Sequence, residues 1–293
     1  MMEEAQPVRR RIKELEVMVA EMLRETPDTT TLRLFTGNDR LEYQPGHFLT
    51  IDPHQFEALG RFTRYLEDQK GKKEPPRAYS LASAPHEKYL AITVKEEAYV
   101  TGRTPYPPLL SPILSRRTSP GARMVVTGFT GGYVLPENLA DRTDHLIHVC
   151  AGSGIVPNYS ILKHLLETGA PVRQTLLYTS KTRDDIIYRR EIEALEAAHP
   201  DRLRVVHNLT RDPGAAFGER VRQGRLDSAV LTACVGDPRT ALFYLCGPTV
   251  TPHDRQRAKA EGKDPAPRFL ESALALLEGL GVPKDRIKRE SYG

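Results

Sequence analysis

The 293 residues include 42 Lys and Arg, 38 Asp and Glu, and 39% hydrophobic side chains, with no Trp and a net charge of +4. That length suits two domains with packed cores, and so mild a charge excludes the basic footprint of a nucleic-acid binder. No apolar run of about eighteen residues exists, so no transmembrane helix is expected. The three Cys (Cys150, Cys234, Cys246) are too scattered for a zinc site or an iron–sulfur cluster.

The first residues, Met1 to Arg11, lack the apolar core of a signal peptide, so cytoplasmic placement without disulfides is the expectation. Residues 1–13 read as a loose basic arm. Strand-like patterns follow at 15–24, 29–36 and 43–51. Residues 53–76 are polar and charged, with a short helix predicted around 56–66. A connection that long is often functional or mobile. Arg77-Ala-Tyr-Ser80 comes next, then a strand at 89–95, a Pro/Gly-rich stretch at 98–108, a short helix around 109–116, a strand at 123–128 and the segment 131–136. Many short strands with little helix predict a small antiparallel β-barrel.

After Asp141 the pattern changes. Strands predicted at 145–150, 172–179, 203–209 and 241–246 alternate with helices at 155–168, 184–198 and 268–280. This is a βαβ series, hence a doubly wound parallel α/β sheet. The expected boundary lies near 140–143, giving domains 1–140 and 141–293 with a ligand crevice between them.

Two stretches carry chemistry. An apolar run from His145 ends in Ala151-Gly-Ser-Gly154, and Ile155, Tyr159, Leu162 and Leu166 follow at helical spacing. In such a strand–glycine–helix turn the backbone can approach a pyrophosphate, with helix amides facing its charge. The loop alone also suits an ordinary strand-to-helix turn, because Pro157 stands where a dinucleotide fingerprint has its third glycine. In Arg77-Ala78-Tyr79-Ser80, alternation puts Arg77 and Tyr79 on one strand face and Ser80 on the other. Arg suits phosphate, Tyr a flat ring, Ser a ring nitrogen. The same four residues also suit an edge strand with a core tyrosine.

Taken in order, these motifs resemble those of the ferredoxin–NADP reductase family, which pairs an FAD-binding barrel with a pyridine-nucleotide domain. Arg77–Ser80 resembles its flavin motif, 131–136 the end of its barrel, 151–157 its Gly-x-Gly-x-x-Pro loop, and 178–195 its second strand and helix. Cys246-Gly-Pro248 resembles its Cys-Gly-Pro turn, and Glu290-Ser-Tyr292-Gly293 its acidic-x-aromatic terminus. The resemblance covers most of the chain from Leu15 onward.

It implies an enzyme that binds FAD and NADPH or NADH, with hydride passing from nicotinamide to flavin N5. Arg77 would bind the FAD pyrophosphate beside Ala78, Tyr79 would stack on the flavin, and Ser80 would hydrogen-bond near N5. Gly152, Ser153, Gly154 and Pro157 would hold the nucleotide pyrophosphate. Cys246, Gly247 and Pro248 would lie near the nicotinamide. Glu290 would be an electrostatic or proton-linked helper, and Tyr292 would cover the other flavin face. Cys246 also reads as a buried small hydrophobe, and Tyr292 as a frayed terminus.

Departures from the family pattern are Pro108 in place of the glycine of Gly-x-x-Ser, Phe129 in place of proline, the 53–76 segment, and an insert at 254–267. Ser111 is expected to cap the helix after Pro108 and meet a phosphate. No acid closes the second strand. Lys181 there, helped by Arg183 or Arg211, favours the 2′-phosphate of NADPH. With no plant-type cysteine set, the implied acceptor is a separate protein, a 2Fe-2S ferredoxin that feeds an oxygenase. The alternatives are a reductase of free flavin, quinone or a haem partner, and a non-catalytic flavin- or nucleotide-binding subunit.

Overall fold

The computed structural model describes residues 14–37, 41–96, 99–101, 104–214 and 218–292, and forms two six-stranded sheets. The first comprises β1 (Leu15–Thr26), β2 (Thr29–Phe35), β3 (Phe48–Ile51), β4 (Arg77–Ser80), β5 (Leu90–Lys95) and β6 (Arg123–Thr130). Their order is β4-β3-β6-β1-β2-β5, antiparallel throughout. Pro27 and Asp28 turn β1 into β2, and Asp28 Oδ1 accepts from the hydroxyls of Thr26 and Thr29 at 2.9 and 3.0 Å. A bridge between Leu81 and Ile92 joins the two outer strands, so the sheet closes on itself and buries Val17, Val19, Leu34, Leu49 and Val126. Closure removes the exposed edges.

The helix expected at 56–66 starts later and runs further. Asp52 caps a short 3₁₀ turn (Pro53–Gln55), a second turn follows (Glu57–Leu59), and α1 spans Gly60–Lys70, ending at Gly71 with φ 63°. The helix expected at 109–116 starts later: Ser111 and Pro112 are helical, and a five-residue π turn, Ile113–Arg117, continues them with no side-chain cap. Ser111 therefore does not cap it; the Ser111 carbonyl instead accepts from Ser115 Oγ at 2.6 Å. In β6, Phe129 has φ 61°, where the pairing with β3 shifts register. That bulge conformation is closed to proline.

The second sheet comprises β7 (His145–Ala151), β8 (Arg173–Ser180), β9 (Leu203–Leu209), β10 (Val221–Gln223), β11 (Leu242–Pro248) and β12 (Ile287–Tyr292), all parallel, in the order β10-β9-β8-β7-β11-β12. A short α2 (Leu139–Arg142) leads into it. One face is covered by α3 (Ile155–Glu167) and α4 (Arg189–Ala198), which pack on Cys150, Leu176, Tyr178 and Val205. The other is covered by α5 (Ser228–Val235) and α7 (Phe269–Gly279), over Val149, Leu177, Val206 and Phe243. The insert after β11 holds α6 (Pro252–Ala260), closed at its start by a Thr251–Asp254 capping box. The helix expected at 184–198 is split: a capping box at Thr182 closes a turn at Arg183–Asp185, and Tyr188 takes φ 57° before α4 begins. No helix among the described residues is long and apolar enough to cross a membrane.

The halves meet through side chains. The Tyr188 hydroxyl bonds the Thr93 hydroxyl, and its ring stacks on Tyr159 at 4.2 Å. Ser160 Oγ donates to the Ser83 carbonyl at 2.6 Å, and Lys163 pairs with Glu87. Gly46 (φ +93°) lies so close to Tyr133 that a Cβ would sit 1.9 Å from its carbonyl oxygen. Gly46→Ala is expected to lower the unfolding free energy by roughly 3 kcal/mol. A urea melt with an unchanged midpoint would show that this contact yields.

Candidate functional site

From β7 the chain steps outward to β8, β9 and β10, then returns to place β11 and β12 on the other side of β7. The switch point thus lies between β7 and β11, and in such sheets the crevice beyond the carboxyl ends is where ligands bind. Register aligns Cys150 with Cys246, Cys246 with Glu290, and Pro248 with Tyr292. The Cys-Gly-Pro turn, the glycine loop and the acidic-x-aromatic segment therefore converge.

Packing dictates the glycines. A Cβ on Gly154 would lie 2.2 Å from the Cys246 carbonyl oxygen, and one on Gly247 would lie 2.5 Å from the Phe269 ring. Gly152 has φ 54°, a region that disfavours other residues. Gly152-Ser153-Gly154 form one 3₁₀ turn leading directly into α3. Pro157 is buried in the first turn of α3, where a missing amide costs nothing.

The loop is tied down from below. Tyr178 OH donates to the Gly152 carbonyl at 3.0 Å, and Asn158 Nδ2 donates to the Gly154 carbonyl at 3.1 Å. Asn158 Oδ1 accepts from Tyr133 OH at 3.1 Å and lies 2.9 Å from His148 Nδ1; His148 Nε2 lies 3.0 Å from Gln174 Oε1. Burial lowers the His148 pKa against the opposing pull of its bonds to Asn158 and Gln174, and raises those of Tyr133 and Tyr178. None of Tyr133, His148, Asn158 or Gln174 was singled out from the sequence. The available signal was polar residues placed inside apolar patterns, as with His148 in β7 and Asn158 four residues after Gly154.

Ser80 reaches in from the barrel and donates to Glu290 Oε1 at 3.1 Å. Glu290 Oε2 is buried without a partner. Burial raises the Glu290 pKa, and the Ser80 bond only partly offsets it. The Cys246 thiol is fully buried, and its pKa is raised by burial and by Glu290. Tyr292 packs partly buried on the Tyr133–Tyr244–Cys246 cluster, its phenol pushed well above its ordinary pKa by burial and then by Cys246 and Glu290. Ser80, Cys246, Glu290 and Tyr292 thus form one group drawn from both sheets.

Arg77 and Tyr79 lie on the other face of β4 from Ser80, as alternation requires, with Ala78 exposed between them. Tyr79 packs on the barrel core. The half-exposed Arg77 donates to the Pro75 carbonyl at 2.6 Å and to Glu74, using two of its five N–H groups. Ser111 opens the helical segment that the π turn continues. At the far end of the crevice, Lys181 and Arg211 meet through the bond from Arg211 N to the Lys181 carbonyl, 2.7 Å, and both side chains are exposed. Two of the nearby acids are engaged, Asp185 by Thr182 and Asp212 by the Arg183 amide at 2.9 Å, and Asp184 is exposed. His207 beside them is pushed down to about 4 by burial, with Arg183 and Arg189 adding to it. The partnerless Glu290 oxygen, the uncommitted N–H groups of Arg77 and the pinned glycine loop fit a flavin dinucleotide beside a nicotinamide dinucleotide.

Residues 148–251 match the oxidoreductase NAD-binding domain family. Over 286 residues the chain is 34% identical to the 3-ketosteroid-9-alpha-monooxygenase, ferredoxin reductase component, of Mycolicibacterium smegmatis, a match covering 95% of this chain and 65% of that relative. Over nearly its whole length the chain is thus similar to ferredoxin reductase components, and its second half carries the matched NAD-binding domain. It spans just under two thirds of the length of such curated relatives. Among solved structures, the cytochrome b5 reductase domain of Ulva prolifera nitrate reductase aligns with TM-score 0.71 at 22% identity, over 96% of this chain and 98% of that one. The ferredoxin–NADP+ reductase of Plasmodium falciparum aligns with TM-score 0.66 at 16% identity, over 95% and 96%. At these identities the structural likeness shows the shared fold.

Glu290 has a testable stability signature. Near and below its ordinary value of 4.5, folded and unfolded chains both carry the proton. As pH rises through the raised folded value, the unfolded chain ionises first and the native state loses stability. Glu290→Gln should therefore gain thermal stability over wild type as pH rises above about 4.5, with the two converging in acid. Parallel melting curves at every pH would contradict the buried carboxyl.

Proposed function

We propose that this chain is an FAD-dependent NAD(P)H oxidoreductase that passes electrons to a separate acceptor, a 2Fe-2S ferredoxin serving an oxygenase. Residues 1–140 take the FAD and 141–293 the nicotinamide nucleotide, in a cytoplasmic setting that suits the three free, buried cysteines. The observation that carries the reading is the meeting of Ser80, Cys246, Glu290 and Tyr292 at the switch point, beside the pinned glycine loop. Support for the acceptor comes from the M. smegmatis relative, which is named as a ferredoxin reductase component.

Arg77 is assigned to the FAD diphosphate, with Ala78 and Ser111 beside it, and Tyr79 to the flavin ring. Bound FAD would supply a ring nitrogen that accepts hydride and an electron store that empties singly or in pairs. Ser80 and Glu290 hold a proton between them within hydrogen-bond reach, and Cys246, Gly247 and Pro248 shape the nicotinamide pocket. Tyr292 covers that pocket from β12. Gly152, Ser153, Gly154 and Pro157 hold the nucleotide diphosphate. Lys181 and Arg211, whose side chains are both exposed at this end of the crevice, select NADPH by pairing their charges with its 2′-phosphate.

An anaerobic titration tests this reading. NADPH should bleach the visible flavin band of the purified protein, and a reduced ferredoxin should appear only when ferredoxin is added. A flavin band that neither nucleotide bleaches would assign a non-catalytic subunit instead. Equal turnover with free flavin or quinone would assign a direct reductase. Lys181→Asp is expected to raise KM for NADPH about tenfold or more over its effect on NADH. Equal changes for both nucleotides would remove Lys181 from the phosphate site.

A further inference from the structure

The connection between β3 and β4 has no role in the reading above, yet it is a built element that ends on Arg77. The Asp52 carboxylate accepts from the His54 amide at 2.9 Å and pairs with His54 Nδ1. His54 Nε2 lies 2.9 Å from Glu67 Oε1, and that oxygen also accepts from the Glu74 amide at 2.9 Å. Glu67 of α1 thus ties the helix both to the turn before it and to the segment after it, and Glu74 is delivered to one place. Its side chain is 2% exposed, with one oxygen paired to Lys70 and the other to Arg77 Nη2. Burial raises the Glu74 pKa, but Lys70 and Arg77 outweigh it and hold the carboxyl below its ordinary range.

A carboxylate buried in this way is costly unless both oxygens are paired. The two partners differ. Lys70 sits 4.9 Å over the Tyr106 ring, whereas Arg77 has three N–H groups left and is about one third exposed. By charge alone Glu74 would weaken anion binding at Arg77, but Lys70 on its other oxygen offsets that, leaving the trio at net +1. What remains is orientation: a flexible side chain of high rotamer entropy is held as a fixed fork before its ligand arrives.

We propose that Glu74 is the positioning residue that presents Arg77 to the diphosphate of FAD, and that the 53–76 segment is the frame that carries it. This rests on the assignment of Arg77 to the flavin diphosphate. It names a role for Glu74 that the motif itself does not contain.

The experiment measures dissociation constants of the full chain for FAD and for riboflavin, which has no phosphate, by flavin fluorescence. Glu74→Gln should weaken FAD about tenfold, the size of one lost charge-assisted hydrogen bond, and leave riboflavin unchanged. Glu74→Asp keeps the charge but shortens the reach; it should show the same selective loss, and serves if the Gln variant does not fold. The double variant Glu74→Gln/Arg77→Ala should bind FAD no more weakly than Arg77→Ala alone, because Glu74 acts through Arg77. Unchanged or tighter FAD binding in both Glu74 variants, with Arg77→Ala weakened, would overturn the positioning role and leave the Arg77 assignment standing. Equal loss for riboflavin and FAD would make Glu74 a general stabiliser of the barrel and overturn it too. Wild-type FAD binding by Arg77→Ala would remove the Arg77 assignment and the proposal with it.

Discussion

The approach of Gly154 to the carbonyl of Cys246 sets the spacing on which the site depends. No Cβ fits there, so the turn after β7 lies directly on the turn after β11. That single contact fixes the switch-point crevice and lines up Cys150, Cys246 and Glu290 across three adjacent strands. A wider gap would separate the residues that the barrel's Ser80 reaches. Interiors are packed too tightly for such a gap to stay open without cost.

Beneath this contact the polar groups are satisfied in a chain from Gln174 through His148 and Asn158 to Tyr133 and the loop carbonyls. A buried network of this kind specifies one arrangement when complete. At the mouth, Glu290 keeps one oxygen without a partner, as do Thr179 Oγ1 at the end of β8 and Asn208 Nδ2 in β9. Exposed positive charge stands at the rim, with Arg77 at one end and Lys181 and Arg211 at the other.

The alternation of apolar runs with helical periods made the parallel sheet legible, because β7, β8, β9 and β11 are buried along most of their lengths and so each carries an apolar run. Elements that lie at edges were not legible. β12 reads Ile-Lys-Arg-Glu-Ser-Tyr, half charged, and β10 has only three residues. The split of the 184–198 helix followed from Thr182, whose box with Asp185 stops one turn before the next begins. In the barrel, closure rests on a single bridge that no local pattern announces. The site motifs were visible because each is contiguous. The residues that hold them in place were not, since Tyr133, His148 and Gln174 act across separations that only the fold supplies.

Tyr188 has φ 57°, a conformation that costs a residue with a Cβ on the order of 1–3 kcal/mol and persists only where the surroundings over-determine it. Here the surroundings belong to both halves: the Thr93 hydroxyl from β5 and the Tyr159 ring from α3. The barrel thus supplies part of the restraint that keeps a loop of the other sheet in its high-energy shape. The parallel-sheet half therefore does not hold this loop as a self-contained piece, and its contact with the barrel is written into its own backbone.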